Sequence, residues 1–388
     1  QRQMCIRDSI KQLGNYTGYE KTTPGEIAER CIDADIVITN KVPLRAEAIK
    51  VLPQLKLICI AATGMNNVDL EAAAERGIEV RNAVGYSTHA VTETTIGAAI
   101  ALLRQSIYYD RYVKSGEYAA SDAPFHFGRP LHQLYGKRWG IIGLGAIGAE
   151  VANAAAALGM EVYGYDPFIS VNAAWNLSRD VEHITSVDTI YKECDYITVH
   201  VPLLDSTREM INEKSLDMMK DGVVILNFAR DLLVNDDDME KALKSGRVKR
   251  YITDFPNPKT VGMEGVIAIP HLGASTEESE DNCAVMAVEE LKDYLENGNI
   301  RHSVNYPDCD MGVCRGACRI AVLHRNIPNM IGQVTAILAD CNVNISDMTN
   351  KSRDKYAYTL LDLEDRVDVE TVGRLTQIKG VLRVRVIG

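Results

Sequence analysis

The chain has 388 residues, a length that suggests two or three domains. At 46% hydrophobic and 24% charged it has an ordinary globular composition, and its longest apolar runs, such as 96–103, fall short of the roughly 20 residues that cross a bilayer. A net charge of −11 argues against a nucleic-acid footprint, and nine cysteines, an odd number, do not make a disulfide framework; free thiols fit a reducing cytoplasm.

Residues 1–9 carry neither a strand pattern nor a helix cap and read as a segment joined out of context. From residue 34, short Val- and Ile-rich runs at 34–39, 55–61 and 78–82 alternate with helical stretches at 44–52 and 69–76. That is the pattern of buried parallel strands with helical crossovers. Helix-like residues 24–31 precede the first convincing strand, so the opening strand of this sheet is expected to be missing. Residues 88–104 predict a long helix, and 108–133 an irregular connection. A second α/β unit begins at Arg138, with strands at 138–142, 161–165, 195–201, 222–227, 250–253 and 266–269. The clearest helix between them is 146–158. Another long helix, 277–296, ends near Gly298. Residues 305–318 break every periodicity and predict a linker. The remainder reads β-α-β-β-α-β, with strands at 319–324, 344–350, 356–362 and 381–387 and helices at 329–339 and 369–377.

The expected fold is α/β: two Rossmann-like or flavodoxin-like parallel-sheet domains and a C-terminal ferredoxin-like α+β domain. Residues 10–100 with 286–304 form the first domain, 101–285 the second, 305–318 the linker and 319–388 the last.

Gly143-Leu144-Gly145-Ala146-Ile147-Gly148 follows a strand and opens a helix, the context that gives a GxGxxG its meaning. Gly143 allows the tight turn, Gly145 lets backbone N–H groups approach a pyrophosphate, and Gly148 lets the helix pack on the strand. Asp166 ends the next strand, roughly 20 residues on, where a carboxylate accepts the ribose hydroxyls and favours NAD over its 2′-phosphorylated form. His271 follows the last strand on the same edge, with a pKa suited to proton exchange with an alcohol or carbonyl oxygen. Arg230 also follows a strand; its planar fork grips a carboxylate and polarises a carbonyl. Taken singly, such a His is more often structural and such an Arg a surface ion pair. Together on the cofactor edge they suit the reduction of a 2-keto acid.

The segments 143–148, Asp166, His200-Val201-Pro202-Leu203, Asn227-Phe228-Ala229-Arg230, Thr253-Asp254-Phe255 and 270–276 resemble the D-isomer-specific 2-hydroxyacid dehydrogenases, most closely their phosphoglycerate dehydrogenase branch. The resemblance covers nearly everything after residue 13. It implies an NAD-dependent enzyme in which Arg230 binds the substrate carboxylate and carbonyl and His271 is the general acid/base. By the same resemblance Gly143, Gly145, Ala146, Ile147, Gly148, Asp166, Val201, Pro202, Thr207, Phe228, Ala229, Arg230, Asp254, His271 and Gly273 line the NAD site. The loop Thr63-Gly64-Met65 holds the substrate carboxylate through backbone N–H groups. The implied substrate is 3-phospho-D-glycerate, oxidised to 3-phosphohydroxypyruvate in serine synthesis. The implied assembly is a cytoplasmic homodimer or homotetramer with no nucleic-acid or membrane partner.

Two departures bear on this. The family pairs its His with a Glu shortly after the strand that ends in Asp254, and here that stretch, 253–258, holds none. Asp254 is the first candidate for the partner, before Glu264 and Glu277; the alternative is that Asp254 contacts only the nicotinamide or caps the strand. The second departure is that 61–69, 85–91 and 125–130 are more similar to the glycerate dehydrogenase (hydroxypyruvate reductase) branch. The chain thus reads as a natural mosaic or a join of two genes, and glycerate or hydroxypyruvate is the alternative substrate. Lys41 and Arg45 are the cations available for a substrate phosphate. A non-enzyme alternative is an NAD-gated binding protein, as in the C-terminal-binding corepressors.

The tail resembles an ACT domain, a small-molecule sensor. The resemblance implies that His324, Asn326 and Asn344 bind L-serine across a dimer interface; amide and imidazole groups suit a zwitterion with a hydroxyl. The alternative is that the Asn side chains only make turns. Cys309, Cys314 and Cys318 lack the paired spacing of a zinc site, and the acidic run 235–240 reads as a capped helix start, so no metal is expected.

Overall fold

The structure is a computed structural model that describes residues 10–388. The segment 1–9, set aside above, lies outside the described residues. The chain divides into two compact units, one running up to Tyr86 and resuming at Glu280–Gly388, the other Ser87–Ser279.

The first unit opens on three parallel strands, β1 (Ile36–Thr39), β2 (Leu57–Ile60) and β3 (Glu79–Asn82), in that spatial order. Among the described residues no strand precedes β1. Leu44, Ile49, Leu52, Ile58, Ile60 and Val80 make its core. The crossover helix Leu70–Glu75 starts at Asp69, whose carboxylate accepts from Ala72 N–H (3.0 Å).

The Ser87–Ser279 unit is a seven-stranded parallel sheet. Its strands are β4 (Arg138–Ile142), β5 (Glu161–Tyr165), β6 (Val181–His183), β7 (Tyr196–Val199), β8 (Val223–Asn227), β9 (Val248–Thr253) and β10 (Val266–Ala268). The spatial order is β10-β9-β8-β7-β4-β5-β6, so it reverses between β4 and β7 and opens a crevice at their C-terminal ends. β7 and β8 are buried along their whole length, which is why they read as continuous apolar runs. β6 was not anticipated: Val-Glu-His is short, partly exposed and lies at the sheet edge. The helix Thr88–Arg104 falls in this unit because Val91, Ala99 and Leu103 pack with Trp139 and Val151. After Gln105, at left-handed φ 51°, the chain re-forms a helix over Ser106–Lys114. The expectation of an irregular segment from residue 108 is corrected there. That helix buries no side chain and so leaves no apolar period to read. Asn235 caps the helix Asp236–Ser245, which accounts for the acidic run.

The last strands are β11 (Cys318–Arg325), β12 (Ile345–Arg353), β13 (Tyr356–Leu363) and β14 (Val381–Ile387), antiparallel in the order β12-β13-β11-β14, the ferredoxin-like arrangement. Alternation along the strands separates two faces. Ile320, Val322, Leu361 and Leu363 meet Met330, Val334, Leu338 and Leu375 of the helices Met330–Asp340 and Val369–Thr376. Ala321, Leu323, Tyr358 and Leu360 instead share a core with Leu57, Cys59, Ala74, Leu291 and Tyr294 of the same unit. The connecting segment 305–318 is part of this core. Tyr306 and Cys309 are buried, Ile300 bridges Cys309, and Tyr306 OH donates to Ala74 O (2.7 Å). It has no period because it packs by single side chains, and it is not a loose tether.

Polar contacts tie the module to the C-terminal turn of the helix Glu277–Asn297: Tyr358 OH donates to Gly298 O (2.7 Å), Arg319 Nη1 to Asn297 O (2.8 Å) and Arg385 Nη2 to Tyr294 O (2.9 Å). Tyr358→Phe keeps the ring and strips the Gly298 carbonyl of this buried donor. The expected cost is about 1–3 kcal/mol in urea unfolding, with m unchanged.

Candidate active site

The glycine loop starts where β4 ends. Gly143 has φ +94°, its N–H donates to Tyr165 O (2.8 Å), and a Cβ there would lie 2.7 Å from His200 O. A Cβ on Gly148 would overlap the Gly143 carbonyl, so the first turn of the helix Ala146–Ala157 closes onto the loop only as glycine. Gly145, the N-cap, differs: nothing lies within 4 Å of a Cβ built on it. That open face fronts a helix N-terminus with unpaired donors and positive dipole, a fit for a pyrophosphate. Asp166 Oδ2 accepts from Leu144 N–H (2.9 Å) and Oδ1 from Phe168 N–H (2.9 Å), so the carboxylate pins the loop. Each oxygen keeps a lone pair for a ribose hydroxyl. These residues fit a dinucleotide.

The other sequence-identified residues come from the same strand ends. After β7, Thr207 Oγ1 donates to Pro202 O (2.6 Å) and accepts from Leu204 N–H (2.8 Å), closing the turn after Val201. His200 is packed behind the glycine loop, 3.0 Å from Thr198 Oγ1, and desolvation pushes its imidazole down to about 4. After β8, Asn227 organises the chain. Its Oδ1 accepts from Ala229 N–H (3.1 Å) and Arg230 N–H (3.3 Å), and its Nδ2 donates to Arg230 O (2.8 Å). Fully buried, it fixes the Phe228–Arg230 turn. Sequence reasoning quoted Asn227 only as part of a motif; an amide at a strand end before a turn was the available signal.

Phe255 sits between the two residues expected to do chemistry. Its ring is 5.7 Å from the Arg230 guanidinium carbon and 4.4 Å from the His271 ring. Asp254 is 2% exposed. Its Oδ2 accepts from Gly273 N–H (3.1 Å), and its Oδ1 is buried without a hydrogen-bond partner among the described residues. Burial raises its carboxyl above the usual range, opposed by the Gly273 N–H and by the positive charges of His271 and Arg230. Among the described residues no side chain hydrogen-bonds the His271 imidazole, and Glu264 and Glu277 are exposed.

In the other unit, the loop after β2 carries Thr63, Gly64 and Met65. Thr63 Oγ1 donates to Ala83 O (3.0 Å), Asn82 Nδ2 donates to Thr63 O (2.7 Å), and Met65 is exposed. Arg45 Nη1 donates to Asn66 O (3.0 Å) beside it, and Lys41 is exposed. In the C-terminal module His324 is buried. Its Nδ1 lies 2.9 Å from Arg325 O and its Nε2 2.8 Å from the Thr359 hydroxyl, which donates to Asn350 Oδ1 (2.8 Å). Asn326 Nδ2 donates to Asp354 O (3.1 Å) at the same end of the sheet. Asn344 precedes β12 at the opposite end, where Ile345 pairs Leu363 and Leu363 pairs Cys318. One chain therefore does not bring the three together. Among the described residues no three His, Cys, Asp or Glu side chains are grouped to hold a metal ion, and no helix is long and apolar enough to cross a membrane.

Residues 96–273 match the sequence family described as D-isomer specific 2-hydroxyacid dehydrogenase, NAD binding domain. The chain is 30% identical to D-3-phosphoglycerate dehydrogenase of Haemophilus influenzae, over 98% of this chain and 94% of that protein. It is 39% identical to glycerate dehydrogenase of Methylorubrum extorquens, over 60% of this chain and 71% of that one. Among solved structures it is similar to NAD+-bound 3-phosphoglycerate dehydrogenase of Entamoeba histolytica, with TM-score 0.65 and 26% identity over 78% of this chain and 94% of that one.

The glycine geometry separates folding from binding. Gly145→Ala should leave stability within about 1 kcal/mol and weaken NADH binding at least roughly 10-fold, read by fluorescence titration. Gly148→Ala should lower both. His200 gives a pH signature. Its folded pKa of about 4 lies below the ordinary 6.5, so the unfolded chain takes up the proton first as pH falls. Its contribution is complete above pH 6.5 and is lost on descent toward pH 4, by at most about 3 kcal/mol. Urea titrations across that window, with His200→Asn as the flattened control, measure it.

Proposed function

The chain belongs to the D-isomer-specific 2-hydroxyacid dehydrogenases and is an NAD-dependent oxidoreductase; from that premise we propose that its substrate is 3-phospho-D-glycerate, oxidised at C2 to 3-phosphohydroxypyruvate in serine synthesis. The observation that carries this reading is the end-to-end match, C-terminal module included, to a relative bearing the phosphoglycerate dehydrogenase name. Bound NAD supplies the hydride chemistry. Arg230 binds the substrate carboxylate and polarises the C2 oxygen, and the Thr63–Met65 loop offers backbone N–H groups to the same carboxylate. His271 removes the hydroxyl proton in oxidation and returns it in reduction. Val201, Pro202, Thr207, Phe228 and Ala229 line the cofactor, and Asp166 takes its ribose.

The second reading, glycerate or hydroxypyruvate, is favoured by one observation. Arg45, a cation available for a substrate phosphate, is engaged with Asn66 O. The 39% identity to a glycerate dehydrogenase agrees with it. For regulation, L-serine is taken by His324 and Asn326 of one copy and Asn344 of a second. This requires a homodimer or homotetramer, for which the exposed Ile107, Val113, Phe125 and Phe127 offer an apolar surface. The compartment is the cytoplasm.

The test is NADH consumption with phosphohydroxypyruvate and hydroxypyruvate in parallel, with and without L-serine. Faster turnover of the phosphorylated acid, suppressed by serine, is expected. Preference for hydroxypyruvate establishes the second reading. Arg230→Gln should lower kcat/KM for either acid by at least roughly 100-fold.

A further inference from the structure

His271 has φ +51°, in the left-handed region that few residues other than glycine adopt. Two residues on, contacts from two elements converge at Gly273. The Gly273 N–H donates to Asp254 Oδ2 (3.1 Å), and its carbonyl accepts from Thr94 Oγ1 (3.3 Å). A Cβ on residue 273 would lie 2.8 Å from Asp254 Oδ2, so glycine is what lets the carboxylate close on the peptide. On the other side of the histidine, its own N–H donates to Ile269 O (2.9 Å), and Ile269 N–H donates to Thr253 O (3.0 Å) at the end of β9. The Phe255 ring lies 4.4 Å from the imidazole.

We propose that Thr94 and Asp254 are positioning residues that hold the Gly273 peptide from both sides and, through it, aim the His271 imidazole. The inference rests on His271 being the proton-transferring group. Asp254 then serves the histidine through the backbone, with its charge as a secondary aid, in place of the carboxylate–imidazole hydrogen bond expected from a Glu. Thr94 comes from the helix Thr88–Arg104, far from the strand ends in sequence, and reaches the site only through the fold.

Thr94→Val keeps the shape and removes the donor. The expected result is a kcat loss of roughly 10- to 100-fold, with KM, NADH affinity and Tm near wild type, and with most of the rate restored in Thr94→Ser. Amide exchange at Gly273 and Ala274 should quicken in the Val variant only. Asp254→Asn keeps an acceptor for the Gly273 N–H without the charge, whereas Asp254→Ala keeps neither, so Asn should retain several-fold more kcat than Ala. If the charge alone mattered, the two would lose rate equally and shift the kcat–pH profile alike. An unchanged kcat in Thr94→Val, or equal losses in the two Asp254 variants, overturns the proposal. His271→Asn separates the two levels. Should it retain the wild-type rate, the acid–base assignment falls and the positioning proposal with it. Should it be inactive while Thr94→Val is normal, only the positioning proposal falls.

Discussion

The approach of Gly148 to the Gly143 carbonyl is the contact on which the cofactor half depends. With no Cβ between them, the helix Ala146–Ala157 starts directly against the turn that ends β4. Its positive end then stands at the crevice where the strand order reverses. A methyl at that point would push the helix outward and spoil the turn that Asp166 holds through Leu144 N–H. The loop is thus gripped by packing on one side and a carboxylate on the other, and the face at Gly145 stays open.

The same logic recurs along the strand ends. At the ends of β8 and β9, buried polar side chains bond the backbone: Asn227 fixes the Arg230 turn, Thr253 Oγ1 accepts from Phe255 N–H (3.0 Å), and Asp254 holds Gly273. Buried polar groups are expensive unless satisfied, and here the satisfaction goes into loop geometry. Asp254 Oδ1 is an exception, an acceptor with no partner among the described residues.

Which parts were legible follows from what each residue does. β4, β5, β14 and the helix Thr88–Arg104 came out of the sequence with their ends, because buried runs and apolar periods mark them. β6 and the helix Ser106–Lys114 bury too little to leave a period. Gly143, Gly145 and Gly148 were readable because their roles follow from lacking a side chain. Arg230 and His271 were readable as candidates from their chemistry at strand ends. Thr94 was not, since a threonine that bonds a carbonyl 179 positions away in sequence looks like any helical threonine. The packing of 305–318 was equally hidden, because single buried side chains have no spacing to detect.

The C-terminal module shows how far local pattern and tertiary role can part. Its β-α-β-β-α-β order marks a small fold with one covered face, yet Tyr358, Leu360 and Leu323 lie in one core with Leu57, Cys59 and Leu291. Alternation fixed which residues face away from the helices, and nothing in the strands says what meets them. The meeting surface carries buried charge: Arg319 with Asp362 (2.9 Å), and Arg81 with Glu79, where Arg81 also donates to Glu290 O (2.8 Å) and Asn299 O (2.8 Å). Burial raises the Glu79 carboxyl and the Arg81 guanidinium opposes it. Such pairs add little net stability over apolar packing, but a misplaced register would strand a buried charge. Both arginines end on carbonyls of the helix Glu277–Asn297 or the residues just after it, Arg81 on Glu290 O and Asn299 O and Arg319 on Asn297 O, so the charges select one seating of the module on its neighbours, and the apolar core supplies the attraction.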